Sequence, residues 1–516
     1  MNGAQALIKT LVDHGVTVSF TNPGTSEMHF VAALDDVPEM RGILCLFEGV
    51  ATGAADGYGR MADRPAATLL HLGPGLGNGF ANLHNARRGA TPVLNIVGDH
   101  AIHHKPLDAP LESDIDSVAS ACSKWVRRST LPNHVSRDAL DAISASMTDP
   151  GGVATLILPA DVCWSEVSEE LSADHATPVR SIPAELVATV ARELTRSNSV
   201  LVVGGNVMRE RGLIAAHRVA AATGAKLLAE TFPARLERGV GIPDIERLAY
   251  LAEFAEMQIG DAHQVVTIDT PAPVSFFAYP GKASRLTPPG CDVHEVSRAI
   301  DAVALLEAVA DHLGASTEVP VAASSRPAIP EGELTSQTVA DVVGALLPEA
   351  AIVVDEANTS GLFLPGATAG CPRHDWLCLT GGAIGIGVPL ATGAAVACPD
   401  RPVLCMQADG SALYTLQGLW TQAREGLNVV TVILANRSYA VLNMELNRVG
   451  ADNSGEKAQA MLDLTNPIMD FVALGTGLGV PSTRASTIAE FESQLRDAFA
   501  TPGPHLIEAI IPPLGL

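Results

Sequence analysis

Short apolar runs alternate with helix-length segments along almost the whole chain, and this alternation restricts the possible folds more than any other feature. In the first third, runs rich in Val, Ile and Leu are each followed by a turn and a helical segment; they are Thr17–Phe20, Ile43–Phe47, Ala67–Leu72, Val93–Val97 and Val153–Leu158. Buried strands separated by helices are typical of parallel sheets that are covered on both faces. The sequence therefore predicts an α/β protein with doubly wound parallel sheets.

The alternation falls into three blocks. The second block contains the predicted strands Ser199–Gly205, Lys226–Leu228 and Val265–Asp269. The third contains those at Ile352–Asp355, Trp376–Leu379, Val403–Gln407, Val429–Leu434 and Leu506–Ile511. A linker of prolines and small residues, 319–332, precedes the third block. Because 516 residues suit roughly three domains of ordinary size, we predict domains at residues 1–170, 183–318 and 333–516.

The first and third blocks also resemble each other. Residues 49–55 read Gly-Val-Ala-Thr-Gly-Ala-Ala, and residues 389–395 read Pro-Leu-Ala-Thr-Gly-Ala-Ala. Helices that pack on sheets favour Ala and Gly, so chance could explain a match of this length. The similarity nevertheless indicates two related domains that face one another.

Charge and composition exclude several classes of partner. Lys and Arg number 33 and Asp and Glu number 57, which gives a formal charge of −24. An acidic surface of this size argues against nucleic acid and anionic membranes as partners. Neither a signal peptide nor a membrane-spanning segment is evident. We therefore expect a cytoplasmic protein without nucleic-acid or membrane partners.

The strongest local signal for chemistry is a pair of polar motifs that follow neighbouring predicted strands. Asp409-Gly-Ser follows the strand Val403–Gln407, and Asn436 follows Val429–Leu434. Ligands bind at the carboxyl ends of strands in open α/β sheets, and Mg²⁺ prefers oxygen ligands of this kind. Either motif alone would be an ordinary turn, but together they favour a metal site. The Gly410 turn would also let backbone N–H groups approach a diphosphate.

These motifs recur in a known enzyme family. Asp409-Gly-Ser, Leu419-Trp-Thr-Gln-Ala and Val429–Asn436 resemble the thiamine diphosphate motif of the acetolactate synthase and benzoylformate decarboxylase superfamily. Ala408 and Ala435 depart from the usual Gly-Asp-Gly-Ser to Asn-Asn pattern, but neither position supplies a metal side chain. The resemblance continues through Asn22-Pro-Gly-Thr-Ser-Glu, Phe47-Glu48-Gly, Leu70-His71, Gly73-Pro-Gly-Leu-Gly-Asn and Gly382-Ala-Ile-Gly. It implies a pyrimidine-binding, a central Rossmann-like and a diphosphate-binding domain, in that order.

The resemblance also implies roles for individual residues. Glu48 would protonate a ring nitrogen of the aminopyrimidine, and this turns the amino group of the cofactor into an internal base. A buried carboxyl suits that task because desolvation favours its protonated form. A glutamate stabilised by a helix N-terminus is the alternative interpretation of Glu48. Gly382 would accept a hydrogen bond from the aminopyrimidine, and Ile384 would force the cofactor into its V shape.

The metal and the assembly follow from the same resemblance. Mg²⁺ would be held by the side chains of Asp409 and Asn436 and by the main-chain carbonyl of Ser438, and Gly410 and Ser411 would face the diphosphate. Since Glu48 and Asp409 lie in different domains, each active site would combine the first domain of one subunit with the third domain of another. We therefore expect a homodimer or homotetramer with shared active sites.

The resemblance identifies the cofactor more narrowly than it identifies the reaction. The overall pattern is closest to an acetolactate synthase-like decarboxylase or carboligase that acts on a small 2-oxo acid and forms an enamine after loss of CO₂. His71 falls where benzoylformate decarboxylase has a catalytic His, and Thr25 matches its substrate-binding Ser, so aldehyde release is an alternative. A second catalytic His of that enzyme would fall within residues 272–278, and none is present there.

Other possibilities remain. Classical acetolactate synthases bind FAD in the middle domain, where this chain has Gly204-Gly-Asn but no G-x-G-x-x-G fingerprint, so FAD is possible but not favoured. The missing fingerprint after the first strand also disfavours a nicotinamide dehydrogenase. A catalytically silent thiamine diphosphate-binding paralogue would have the same fold.

Overall fold

Three sheets organise the residues that the computed structural model describes, which are 1–168, 182–451 and 455–514. Each sheet is assembled from parallel strands joined by helices, so the predicted α/β class with three sheet-containing domains is confirmed. None of the helices in these residues is long and apolar enough to cross a membrane.

The first sheet contains the strands of the N-terminal block. They are β1 (Val18–Thr21), β2 (Arg41–Leu44), β3 (Ala67–Leu70), β4 (Val93–Asp99), β5 (Trp125–Arg128) and β6 (Val153–Pro159). All pair in parallel, in the order β2-β1-β3-β4-β6-β5. The helices of this block are α1 (Gly3–Asp13), α2 (Met28–Asp36), α3 (Glu48–Ala62), α4 (Leu72–Arg88), α5 (Ile115–Cys122), α6 (Val135–Met147) and α7 (Ala160–Trp164).

The central block forms a smaller sheet. Its strands are β7 (Ser199–Val203), β8 (Lys226–Ala229), β9 (Leu236–Arg238), β10 (Gln264–Ile268) and β11 (Asp292–Glu295). Four of them pair in parallel, in the order β11-β10-β7-β8. The helices are α8 (Ala184–Leu194), α9 (Glu210–Thr223), α10 (Ala252–Ile259) and α11 (Ala302–His312).

The third sheet is the largest and takes one strand from the central block. Its own strands are β12 (Ile352–Glu356), β13 (His374–Cys378), β14 (Val403–Ala408), β15 (Val429–Ala435), β16 (Ser482–Ala485) and β17 (His505–Ile510). The order is β16-β17-β15-β14-β12-β13-β9, and only β9 runs antiparallel to its neighbour. The predicted wholly parallel sheet therefore has an antiparallel edge, and the central block is joined to the third sheet by backbone hydrogen bonds.

Helices cover this third sheet as well. They are α12 (Ser336–Leu346), α13 (Leu364–Thr368), α14 (Gly387–Ala397), α15 (Asp409–Ala412), α16 (Gly418–Glu425), α17 (Ala440–Arg448), α18 (Glu456–Ala460), α19 (Phe471–Gly477) and α20 (Ile488–Ala500). Helix α14 begins where the loop at residues 381–386 ends, and α15 begins directly after β14. Two turns of the third domain therefore open at the carboxyl ends of its strands.

The two similar segments form the contact between the first and third domains. Helices α3 and α14, which contain them, pack directly against each other and are buried along nearly all of their length. Glycines permit the close approach, because a Cβ on Gly57 would overlap the Leu390 carbonyl and a Cβ on Gly393 would overlap the Ala54 carbonyl. The sequence similarity thus corresponds to two helices that face one another.

Candidate active site

Glu48 occupies the first position of α3, and only 7% of the residue is exposed. A carboxylate is favoured at this position because the N-terminus of a helix carries partial positive charge. The neighbouring helix α4 also holds the side chain, since the Asn78 amide donates a hydrogen bond of 3.0 Å to Glu48 Oε2. A Cβ on Gly75 would lie only 2.8 Å from Glu48 Oε1. The carboxyl group is therefore closely enclosed and fixed by α4.

His71 lies between β3 and α4 and is held by a buried carboxylate. His71 Nδ1 is 2.8 Å from Glu27 Oε2, and Glu27 is only 2% exposed. Because a carboxylate accepts, this contact places a proton on Nδ1 and leaves Nε2 able to accept or deliver another proton. A quarter of the His71 side chain is accessible, at 24%. The pair has the geometry of a carboxylate that orients a catalytic imidazole.

Glu27 is in turn positioned by the turn that precedes it. The Gly24 N–H donates to Glu27 Oε2 at 2.7 Å, and the Ser26 hydroxyl donates to Oε1 at 2.6 Å. Glycines make room for the pair, because a Cβ on Gly24 would overlap the His71 ring and a Cβ on Gly98 would overlap the Glu27 carboxylate. The carboxylate is therefore fixed in place before any ligand binds.

Asp409 and Asn436 lie at the carboxyl ends of neighbouring parallel strands, as the sequence predicted, because β14 pairs with β15. Asp409 is 2% exposed. Its carboxylate accepts hydrogen bonds from the N–H of Gly410 at 2.8 Å and from that of Arg437 at 2.6 Å. The two strand ends are thus connected through the Asp409 side chain.

Asn436 and Ser438 form the second half of this edge. The Asn436 side-chain oxygen accepts the Ser438 N–H at 2.9 Å, and its amide donates to the Ser360 hydroxyl at 3.1 Å. Ser438 and Asp463 lie opposite each other in an isolated antiparallel β-bridge. The hydrogen bonds of this bridge are made by the backbone groups of the residues on either side of them. This pattern leaves the Ser438 carbonyl out of the bridge.

A buried chain of polar side chains connects the end of β14 to the loop at residues 381–386 and to the first residue of α14. The Gln407 amide donates to the Ser411 hydroxyl at 2.6 Å and to Glu356 Oε2 at 3.2 Å. Glu356 accepts the N–H groups of Gly385 and Gly387, each at 2.5 Å. Burial raises the pKa of Glu356 to about 7, although these hydrogen bonds oppose the rise. The loop is therefore held from the side of the third sheet.

Three further predicted residues are accessible to a bound molecule. Gly382 is exposed and has a φ of 75°, a left-handed conformation that favours glycine. Ile384, in the same loop, is half-buried, and Thr25 is exposed at the start of the short turn Thr25–Glu27. The structure thus gathers Gly382 and Ile384 in one loop and places Thr25 two residues from the partner of His71.

No role for Glu27, Asn78 or Glu356 was predicted from the sequence. Glu27 lies in the quoted segment that begins at Asn22, but its contact with His71 spans 44 residues of sequence. Hydrophobic periodicity carries no information about such a pair. The available signal was an acidic residue three positions after a Pro-Gly pair, which is common in loops that have no site.

The comparisons with known proteins match the two ends of the chain that carry this geometry. The family model described as "Thiamine pyrophosphate enzyme, N-terminal TPP binding domain" matches residues 1–120. The model described as "Thiamine pyrophosphate enzyme, C-terminal TPP binding domain" matches residues 367–509. The chain belongs to the thiamine pyrophosphate enzyme family. Glu48 and His71 lie in the first matched segment of this family, and Asp409 and Asn436 lie in the second.

Similar members of the family include both synthases and decarboxylases. A protein of Mycobacterium tuberculosis described as "Putative acetolactate synthase large subunit IlvX" is 58% identical over 100% of both chains. A benzoylformate decarboxylase of Pseudomonas aeruginosa is 31% identical over 96% of each chain. This thiamine pyrophosphate enzyme is therefore of the acetolactate synthase or benzoylformate decarboxylase type, and thiamine diphosphate is its cofactor.

Solved structures of the family show the same fold. A thiamine diphosphate-dependent 4-hydroxybenzoylformate decarboxylase of Rhodococcus jostii RHA1 aligns with a TM-score of 0.87 at 24% identity and covers 99% of each chain. A benzoylformate decarboxylase of Polynucleobacter necessarius aligns with a TM-score of 0.83 at 23% identity, over 100% of this chain and 99% of that one.

The central sheet offers a poor fit to the diphosphate of FAD, which the sequence left possible but not favoured. Dinucleotides bind at the glycine turn after the first strand of such sheets. Here the Gly205 N–H donates to Glu230 Oε1 at 2.9 Å, and the Asn206 N–H donates to Asp269 Oδ2 at 2.9 Å. An anionic diphosphate at this turn would lie beside two acidic side chains. These side chains already accept the backbone N–H groups of the turn that the diphosphate would need.

Proposed function

We propose that this enzyme decarboxylates a 2-oxo acid with thiamine diphosphate and Mg²⁺ and releases an aldehyde. When bound, thiamine diphosphate supplies a nucleophilic carbon and then accepts the electron pair that remains when CO₂ departs. The Glu27–His71 pair carries the proposal of aldehyde release. An imidazole held through Nδ1 can deliver a proton from Nε2 to the carbon that has lost CO₂.

Glu48 would exchange a proton with the aminopyrimidine ring of the cofactor. Its carboxyl group is buried, which would keep bulk water away from that exchange. The hydrogen bond from Asn78 fixes the side chain while it acts. Thr25 is accessible near the Glu27–His71 pair and offers its hydroxyl to the substrate.

Asp409, Asn436 and the Ser438 carbonyl hold Mg²⁺ in the proposed enzyme. Among the residues that the structure describes, the Asp409 carboxylate accepts backbone N–H groups but forms no ion pair. Burial raises the pKa of Asp409, although its backbone hydrogen bonds and the charge of Arg437 oppose the rise. A divalent cation would stabilise the ionised carboxylate directly, and the oxygen ligands suit Mg²⁺. Gly410 and Ser411 line the same turn, where the diphosphate is expected.

The sites are shared between subunits of a homodimer or homotetramer in this proposal. Mixing two inactive subunits, Glu48→Gln and Asp409→Ala, tests it. If each site combines two chains, one site of every mixed dimer is free of substitutions. Random mixing then restores about a quarter of the activity. If each site lies within one chain, every site keeps one defect and mixing restores none.

Carboligation to a second carbonyl compound is the second candidate function. The relative described as a putative acetolactate synthase subunit is 58% identical over the full length, which favours this outcome. In the segment where benzoylformate decarboxylase is expected to have its second catalytic His, Phe276 instead packs against Tyr250, with ring centroids 5.0 Å apart. Protonation would therefore depend on His71 alone.

Product analysis separates the two candidates. CO₂ release is measured with thiamine diphosphate, Mg²⁺ and a panel of 2-oxo acids that includes pyruvate and benzoylformate. An aldehyde as the product supports the decarboxylase, and a 2-hydroxyketone supports the carboligase. Absence of CO₂ from every acid, despite demonstrated cofactor binding, would contradict both and favour a catalytically silent paralogue.

A further inference from the structure

Helix α4 carries three asparagines on one face. Asn78, Asn82 and Asn85 follow an i, i+4, i+7 spacing, which places their side chains on the same side of a helix. Asn78 contacts Glu48. The other two are almost completely buried, with 2% of Asn82 and 0% of Asn85 exposed. Buried amides of this kind are costly unless all their groups are hydrogen-bonded.

Asn82 bonds to the backbone directly after Glu48. Its amide nitrogen donates to the Gly49 carbonyl at 2.7 Å and lies 3.5 Å from the Gly385 carbonyl. The Asn82 side-chain oxygen accepts a hydrogen bond of 3.0 Å from the Asn85 amide. Asn82 therefore bonds to the backbone of α3 and to Asn85, and it also reaches the loop at residues 381–385.

Asn85 bonds to both backbone polar groups of one residue in that loop. Its amide donates to the Ala383 carbonyl at 2.8 Å, and its side-chain oxygen accepts the Ala383 N–H at 3.2 Å. His84 adds a contact of 3.1 Å from Nε2 to the Gly381 carbonyl. Ala383 lies between Gly382 and Ile384, the two residues expected to contact the cofactor.

We propose that Asn82 and Asn85 are positioning residues that fix the loop at residues 381–385 relative to the start of α3. The inference rests on the proposed function, in which this loop contacts the cofactor of one active site and Glu48 of the same chain contacts the cofactor of another, so the amide pair connects two cofactor sites. From the third sheet, Glu356 already bonds to Gly385 and Gly387. The amide pair supplies the anchor on the opposite side.

The hydrogen bonding of Asn82 and Asn85 explains how the pair can hold the loop in a single position. Both amides find partners for their donors and acceptors, and such a fully satisfied buried network has one favoured arrangement. Truncating either side chain leaves backbone groups of the loop or of α3 without a partner. The loop should then sample several positions while the sheets beneath it stay intact.

Hydrogen exchange and cofactor titration test the proposal on the full-length protein. In Asn82→Ala and Asn85→Ala, without cofactor, we expect faster exchange in peptides that cover residues 380–386 and unchanged exchange in β14. Calorimetric titration with thiamine diphosphate at saturating Mg²⁺ should show a dissociation constant raised about tenfold, the equivalent of one lost hydrogen bond. His84→Ala removes a single contact and should show the same changes at smaller size.

Asn95→Ala is the matched control. Asn95 is 0% exposed and bonds to Thr68 and Thr155 inside the first sheet, away from the loop. It should lose stability without altering loop exchange or cofactor affinity. If the amide variants fail to fold, His84→Ala decides the question.

Unchanged cofactor affinity in folded amide variants would overturn the proposal, whether or not the loop exchanges faster. Equal losses of affinity in Asn95→Ala would also overturn it, because the effect would then be one of general stability. Failure of the unaltered protein to bind thiamine diphosphate would instead overturn the proposed function, so the two failures can be told apart.

Discussion

The carboxyl ends of the central sheet and of the third sheet carry similar residues with different surroundings. In each sheet an aspartate follows a buried strand and accepts backbone N–H groups, Asp269 after β10 and Asp409 after β14. Asp269 is also 3.2 Å from Arg298, whereas Asp409 forms no ion pair within the described residues. At the central sheet, the carboxylate of Asp269 is paired with an arginine of the same chain, so it has a structural role. At the third sheet, the carboxylate of Asp409 has no such ion pair and is available to bind a cation, which can in turn hold a diphosphate.

Glutamates repeat this contrast between the first and the central sheets. Glu27 and Glu230 each accept the N–H of a glycine in a turn, at 2.7 Å from Gly24 and at 2.9 Å from Gly205. Glu27 additionally holds His71, an accessible imidazole. A glutamate that accepts the N–H of a turn glycine is therefore found in both domains. Only in the first domain does that glutamate also hold an imidazole that can donate a proton.

Asp409→Ala should have the largest effect. Removal of a proposed metal ligand should raise the dissociation constant for thiamine diphosphate with Mg²⁺ at least about a hundredfold. Asp269→Ala is the matched variant of the central sheet. It should leave cofactor binding unchanged and lower the free energy of unfolding by about 1 kcal/mol or less, since the exposed Asn206 N–H that loses its acceptor can bind water instead. Equal effects of the two variants on cofactor binding would show that Asp409 has no role in the metal site that Asp269 lacks.

Glu27→Gln should have the next largest effect. The variant should lower kcat about tenfold to a hundredfold, because His71 loses the carboxylate that orients it. Affinity for thiamine diphosphate should not change, and this separates an effect on proton delivery from one on binding. Glu27→Asp, which keeps the charge, should recover part of the activity. A normal kcat in Glu27→Gln, or an equal loss in Glu230→Gln, would contradict the assigned role.

Glu230→Gln should change stability rather than activity, and only in one pH range. Burial raises the pKa of Glu230 from 4.5 to about 7. The folded protein therefore keeps a proton that the unfolded chain releases, and the free energy of unfolding falls as the pH rises from about 4.5 to 7. The difference amounts to at most about 3 kcal/mol. Glutamine does not titrate, so the variant should be the more stable protein at pH 8.

Urea denaturation at pH 5 and at pH 8 measures this effect. Glu356, whose pKa is also raised to about 7, should retain part of the pH dependence in both proteins. An equal fall in stability for the variant and the unaltered protein would show that Glu230 titrates normally.

Local patterns predicted those parts of the molecule that depend on short segments of sequence. The buried strands of the first and third sheets are continuous apolar runs, and Asp409 and Asn436 follow two of them directly. The similarity between residues 49–55 and 389–395 also anticipated the contact between α3 and α14. Each of these features can be found from residues that are close together in the chain.

Contacts between residues far apart in the chain could not be predicted from the sequence. Strand β9 has only three residues and pairs with β13, more than a hundred positions away. The Glu27–His71 pair and the bonds from Asn85 to Ala383 likewise join segments that share no periodic pattern. Nothing in the local sequence distinguishes these side chains from ordinary polar residues of turns and helices, because their role depends on the partners that folding brings to them.

Turnover of the Glu48→Gln variant shows whether Glu48 is the acid that activates the cofactor. CO₂ release from the best 2-oxo acid is compared with that of the unaltered enzyme at saturating thiamine diphosphate and Mg²⁺. We expect a folded variant whose kcat is lower by about a hundredfold or more, because the amide cannot exchange a proton with the aminopyrimidine. Undiminished turnover by a folded Glu48→Gln variant would contradict the proposed mechanism.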